Sequence, residues 1–267
     1  MDSQPAFELR QFSISLSNTN KERQVYTHLN KIQDKVLKTT KSTMPLYPGQ
    51  VLNGRYQVVA EVGSGHFCIV YSGVDKKNND APVAIKALRE DRHCDLHREY
   101  DSLQGLEDHM YTATPIVYGD GSDNQTYYVT SLEGQELFQL GCETIGCLPE
   151  RVGMKIMLHA LMALQNLHQQ GKTHGDISSR NMVLSKTAGK GSILLVDMAL
   201  SRDFYELGAK RDIGDMISAM SLFNNSIFYK TIAREYSEKK YSIAELIAMI
   251  KAHYAIGEDE QLDFNEQ

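Results

Sequence analysis

At 267 residues, 42% hydrophobic and 23% charged, the chain has room for one large or two small domains and the composition of an ordinary globular protein. Its 28 basic against 34 acidic residues give a net charge of −6, so no basic field for a nucleic-acid partner is present. Several of the negatives crowd the C-terminal stretch "GEDEQLDFNEQ" (Glu258, Asp259, Glu260, Asp263, Glu266). The four cysteines Cys68, Cys94, Cys142 and Cys147 are too few for a disulfide scaffold, and the close pair Cys142 and Cys147 lacks metal-ligand spacing. A reducing, cytoplasmic setting is expected. No basic or apolar leader opens the chain and no run of 18 apolar residues occurs, so neither a Sec-type signal nor a membrane span is expected.

Residues 1–46 are polar and end at the punctuating "MPLYPGQ", which predicts an extension joined to a domain. Within it Val25, Leu29, Ile32 and Val36 recur at helical spacing, and Thr19 with Glu22 matches a capping box. This predicts an amphipathic helix that packs on the domain, with docking to a partner as the alternative. The domain is expected over 47–257, divided into lobes at 47–133 and 134–257, with 258–267 as an acidic tail.

From 55 to 86 the pattern is that of strands: "RYQVVAEV", the turn "GSGHF", "CIVYSGVD", the turn "KKNND" and "APVAIKAL". "DLHREYDSLQGL" predicts a short helix with Leu96, Tyr100, Leu103 and Leu106 on one face, and "TPIVYGDGSDNQTYYVTSL" a hairpin. After "EGQELFQL" the chain turns helical, "LPERVGMKIMLHALMALQNLHQQG" running from a Pro to Gly171. Then come the polar loop "GKTHGDISSRNMVL" and a last apolar run, "GSILLVDMALSRDF".

Gly63 and Gly65, with Ser64 between them, sit in a strand-to-strand turn where missing side chains let backbone N–H groups approach phosphate oxygens. Lys86 on the third strand is within reach of α- and β-phosphates if an anion holds it, and Glu99 on the next helix is the candidate. Asp176 is placed to accept or orient a hydroxyl proton. Asn181 and Asp197 supply oxygens for a metal ion. One lysine, two metal-binding side chains and a carboxylate beside the nucleophile are what the charge on a transferring phosphoryl group requires.

With "PGQVLNGRYQVVAEVGSG", "VAIK", "ALQNLHQQGKTHGDISSRNMVL" and "LLVDMALSRDF" in this order, the sequence resembles the eukaryotic-like protein kinases, in particular compact, atypical members. The resemblance implies an α+β, bilobal fold with a β-rich N-lobe, a shortened helical C-lobe, and ATP with Mg²⁺ in the cleft between them. It implies catalytic roles for Asp176, Lys86, Asn181 and Asp197, with Asn181 and Asp197 as metal ligands. Val70 and Ala84 become the roof over adenine and Val183 its floor; Thr130 becomes the gatekeeper, and Ser131, Leu132 and Glu133 the hinge. Leu103, Met198 and His174 match an apolar column linking the lobes. The activity implied is phosphoryl transfer to protein hydroxyls, Ser/Thr first and Tyr as the alternative, since Ser178 replaces a Lys typical of Ser/Thr enzymes. It implies a monomer with a protein substrate or regulatory partner. Delivery into a host cell is implied if the chain is a bacterial effector.

Four departures stand out. Gly175 replaces the Arg before the catalytic Asp, so activity need not depend on phosphorylation of an activation loop. Cys68 replaces the third glycine of the phosphate turn, and Met198 with Ala199 replace Phe-Gly. Most important, Asp212 in "KRDIGDMISAM" matches the helix after the activation segment, only 15 positions beyond Asp197 and with no Ala-Pro-Glu between. The shelf for a peptide substrate is therefore expected to be largely missing. A pseudokinase scaffold and a small-molecule phosphotransferase are the competing expectations.

Overall fold

The structure, a computed structural model, describes residues 46–89, 94–120, 125–144, 148–239, 241–257 and 260–262. The expected helix at Val25 to Val36 with its capping box, Cys147, and Glu258, Asp259, Asp263 and Glu266 of the tail lie outside the described residues.

Six strands form the first sheet: β1 (Val51–Leu52), β2 (Tyr56–Ser64), β3 (Cys68–Asp75), β4 (Ala81–Leu88), β5 (Pro115–Asp120) and β6 (Thr126–Ser131), in the spatial order β1-β2-β3-β4-β6-β5 with all pairings antiparallel. Ile69 and Tyr71 on β3 and Val83, Ile85 and Ala87 on β4 recur at every second position, so one face of the sheet is buried. On that face Val58, Ile69, Tyr71, Val83, Ile85, Tyr127 and Val129 close around Leu46. Leu46 is fully buried. Two register shifts in β2, between Val58 and Ala60 and between Glu61 and Gly63, bend the strand as it approaches the glycine turn.

Helix α1 (Leu96–Gln104) crosses the other face of this sheet. Its N-cap Asp95 accepts from the Arg98 N–H, and Leu96, Tyr100 and Leu103 point into the second core, as the periodicity requires. Below lie α2 (Leu137–Thr144), α3 (Glu150–Gln169), α4 (Glu206–Ala219), α5 (Ile227–Lys239) and α6 (Ile243–Tyr254), with short strands β7 (Lys172–Thr173), β8 (Met182–Leu184), β9 (Ile193–Leu195) and β10 (Arg202–Asp203). Helix α3 begins after Pro149, is rich in Leu, Met and Ala, and stops where Gly171 takes φ +74°. Apolar almost all round, it is the buried axis of the lobe. Helix α2 starts inside "ELFQL", earlier than the sequence pattern indicates.

The tail is not free where it is described. Glu260 Oε1 lies 2.6 Å from both Arg151 Nη1 and Lys155 Nζ on α3, and its backbone carbonyl meets His159 Nε2 at 3.1 Å. Hydrogen bonds from Arg151 and Lys155 hold its carboxyl at about 2, below the ordinary 4.5. A depressed carboxylate contributes stability above its unfolded value and loses it as pH falls through the folded one. Wild-type stability should therefore decline between about pH 4.5 and 2, and Glu260→Gln should remove that part of the decline. With Glu260 29% exposed, solvent screening limits the loss at neutral pH to about 0.2–1 kcal/mol, read by urea denaturation across pH.

Candidate active site

The first elements of the site are set by strand register. Gly63 pairs with Val70 in the β2–β3 hairpin; Val70 faces Lys86, and Ala84 faces Thr130 across β4 and β6. Paired residues share a face, so Val70, Ala84, Lys86 and Thr130 all look toward the same side of the sheet. The turn over them is fastened by Arg89, whose Nε donates to Gly65 O at 3.0 Å and whose Nη2 donates to Ser64 Oγ.

Lys86 carries the central interaction. Its Nζ stands 2.7 Å from Glu99 Oε1 and 3.1 Å from Asp197 Oδ1. Burial works against the ammonium, but the two carboxylates outweigh it and raise its pKa. Burial also pushes the Glu99 carboxyl upward; Lys86 and the Tyr128 hydroxyl, 2.9 Å away, counter it by donating to the charged form. Asp197 follows β9 with φ +64°, a left-handed conformation uncommon for a non-glycine residue. Desolvation pushes its carboxyl upward, but Lys86 outweighs this and holds it below the usual range.

Asp176 and Asn181 lie on the loop between β7 and β8. Asn181 Nδ2 donates to Asp176 Oδ2 and to its backbone O, each at 2.9 Å, which leaves Oδ1 as the amide's acceptor. The Asn181 carbonyl accepts from Val196 N–H at 3.0 Å, so this loop is stitched to the strand end that presents Asp197. Fully buried His174 holds the backbone at Asp176. Its Nδ1 accepts from the Asp176 N–H at 3.3 Å and its Nε2 faces Val196 O at 3.1 Å, the tautomer with the proton on Nε2. Burial lowers the His174 pKa and keeps the ring neutral.

From below, Asp212 of α4 holds the loop. It is fully buried; its Oδ2 accepts from His174 N–H at 2.8 Å and its Oδ1 from Gly175 N–H at 2.9 Å, with His168 Nε2 3.0 Å away. Burial opposes its charge, yet these donors bring the carboxyl below the ordinary range. Asp212 is thus the acceptor for two consecutive backbone donors of the loop.

Residues 56–218 match the protein kinase domain family. The chain belongs to that family. It is similar to CDPK-related kinase 3 of Arabidopsis thaliana, 29% identical over 164 residues covering 57% of this chain and 27% of that protein. It is similar also to serine/threonine-protein kinase pkn2 of Myxococcus xanthus, 27% identical over 57% of this chain and 19% of that protein. With cyclin-dependent kinase 2 of Caenorhabditis elegans it is 24% identical over 61% of this chain and 45% of that protein. The chain spans less than half the length of each of these relatives.

The expected α+β bilobal kinase fold is what the structure has, and the departures can be read on it. Gly175 takes φ +82°, and a Cβ built there would stand 2.7 Å from Leu200 O. An Arg at this position of the kinase domain is therefore excluded by backbone shape as well as by space. Gly175→Ala should cost roughly 1–3 kcal/mol, seen as a lowered melting temperature, whereas restoring the family's Arg should be worse rather than beneficial. Between Asp197 and the start of α4 only residues 198–205 remain, including the Met198–Leu200 turn and β10, which pairs with β7. Leu200, Phe204, Tyr205 and, on α4, Leu207 are exposed there. Met198, Leu103 and His174 are all buried, and α1 packs on the Met198 turn.

In the hinge, Thr130 is buried and its Oγ1 donates to Ser131 O at 3.2 Å. Glu133 is buried and its side chain is engaged within the protein. The carboxylate is tied to Ser131 Oγ, Lys186 N–H, Thr187 Oγ1 and Lys190 Nζ, so only its backbone is left for a ligand; Leu132 stands half-buried beside it. Sequence reading missed Glu136 and Arg89. Glu136 bridges to Val183, and its Oε1 lies 3.9 Å from where a Gly63 Cβ would be; burial raises its carboxyl. Its position one residue before the apolar start of α2 was the available signal.

Proposed function

We propose that the chain is an ATP- and Mg²⁺-dependent protein kinase that transfers the γ-phosphoryl group to protein hydroxyls, Ser or Thr first. The observation that carries this reading is Lys86 held between Glu99 and Asp197 while Asp176 and Asn181 are hydrogen-bonded to each other beside them. A scaffold has no chemical need for all five groups.

The donor set fits Mg²⁺. Among the described residues no three His, Cys, Asp or Glu cluster as a self-contained metal site; one carboxylate and one amide oxygen, completed by phosphate oxygens, are what Mg²⁺ takes in such enzymes. Bound there, the ion neutralises charge developing on the phosphates. Asp197 and Asn181 would hold it. Lys86 positions the α- and β-phosphates, with Glu99 fixing the ammonium. The N–H groups of Gly63, Ser64 and Gly65 line the turn above. Val70, Ala84 and Val183 enclose the base, next to Thr130 and the backbone of Ser131, Leu132 and Glu133, and the Glu136 carboxylate is placed to accept from hydroxyls of the nucleotide. Asp176 orients the acceptor hydroxyl and takes its proton.

Acceptor recognition is atypical on this reading, because exposed Leu200, Phe204, Tyr205 and Leu207 replace a peptide shelf. Among the described residues no helix is long and apolar enough to cross a membrane, and the free thiols of Cys68, Cys94 and Cys142 suit a reducing, cytoplasmic setting. Phosphoamino-acid analysis after reaction with mixed Ser, Thr and Tyr protein acceptors, beside aminoglycoside and choline acceptors, tests the substrate class. Phosphoserine or phosphothreonine is expected; turnover of the small alcohols alone would reassign the chain to small-molecule phosphotransfer.

A further inference from the structure

Two of the free thiols meet where the parts of the upper lobe join. Cys68 Sγ and Cys94 Sγ are 3.7 Å apart, although the residues are separated by the whole β3–β4 hairpin. Cys68 opens β3 directly after the glycine turn, opposite Leu88 in register and 6% exposed. Cys94 precedes the N-cap of α1 and is half-buried. Both thiols feel the charges of the Lys86–Glu99 pair. Cys68 packs in the buried core beneath the turn, and its sulfur there reaches a second cysteine.

We propose that Cys68 and Cys94 form a reversible disulfide by exchange with an oxidised low-molecular-weight disulfide of the glutathione class, tying the root of the glycine turn to the start of α1. Cys94, the more accessible sulfur, loses its proton and attacks one sulfur of the small disulfide. That S–S bond breaks, and the departing thiolate takes up a proton. Cys68 then gives up its proton and attacks Cys94 Sγ in the mixed disulfide, expelling the second small thiol. The two cysteines lose two electrons and the small disulfide gains them, becoming two thiols. The sulfurs must close from 3.7 Å to about 2.05 Å, within the reach of side-chain rotation and a small shift of the chain before α1. Burial pushes the Cys68 thiol up to about 12 and raises Cys94 as well, so formation is slow at neutral pH and accelerates as pH rises.

The thiols are close while Lys86 and Glu99 are already paired, so the bond pins α1 in the arrangement that holds the lysine. What this does to catalysis rests on the kinase reading; the bond itself does not. The test uses the full chain, incubated with oxidised glutathione at mildly alkaline pH, alkylated, digested and mapped by mass spectrometry, with melting temperature read in parallel. Expected are a peptide pair linked through Cys68 and Cys94 that dithiothreitol separates, and a rise in melting temperature on the order of 5–10 °C. Cys94→Ser should lack both, and Cys68→Ser should stop at glutathione on Cys94. Because Cys94 is half-buried, Cys94→Ser keeps the comparison available if Cys68→Ser folds poorly. Full exchange at exposed Cys142 with no Cys68–Cys94 link, or links only to Cys142 or Cys147, would overturn the proposal. A Cys68–Cys94 link with no change in melting would overturn the pinning of α1.

Discussion

Lys86→Met should lower stability as well as abolish activity. The substitution keeps length and removes charge, leaving Glu99, 2% exposed, and Asp197 facing each other without the ammonium that lies within about 3 Å of both. Leaving a buried ion unpaired costs roughly 3–5 kcal/mol, and proton uptake by Glu99 offsets part of that. The deficit should therefore be larger at pH 8 than at pH 5, because the unpaired carboxylate is destabilising only while ionised. Urea denaturation at the two pH values reads this directly. In the double variant Lys86→Met/Glu99→Gln most of the stability should return while phosphoryl transfer stays lost. A double variant no more stable than the single one would show that the ion pair is not what holds α1 against β4.

The second large effect is expected at Asp176. Asp176→Asn keeps the shape of the side chain beside Asn181 and removes the base, so phosphoryl transfer should fall by about 10²–10⁴-fold with little change in Mg·ATP affinity. Single-turnover transfer and equilibrium nucleotide binding separate the two quantities. Equal losses in both would mean that Asp176 acts on nucleotide binding, through its hydrogen bond to Asn181, rather than on the acceptor hydroxyl.

Much of this site was legible because its residues sit on elements whose patterns are local. Alternating β-branched residues place Lys86 on a strand, four apolar residues at helical spacing place Glu99 on a facing helix, and "HGDISSRN" with "VDMALS" fixes the order of the acidic groups. What was not legible depends on contacts far apart in sequence. Helix α2 contains Gly141, a weak helix former, and exists because the chain there packs closely on Leu222; a Cβ at Gly141 would lie 2.2 Å from Leu222 Cδ2. The Arg89 clamp on the glycine turn, the commitment of the Glu133 carboxylate to the 185–190 loop and the docking of Glu260 on α3 join segments with no shared motif. Asp212 was singled out only through the resemblance, and its two backbone donors were visible only once α4 was folded beneath the loop.

The account's central claim is that these groups transfer phosphoryl from ATP to protein. The measurement that bears on it most directly is incorporation of label from γ-labelled ATP into a protein acceptor by the purified full chain, with and without Mg²⁺, beside Lys86→Met and Asp176→Asn. Label on acceptor hydroxyls with wild-type protein and Mg²⁺ only is the predicted result. Nucleotide binding without any transfer to protein, or transfer undiminished in Asp176→Asn, would contradict it.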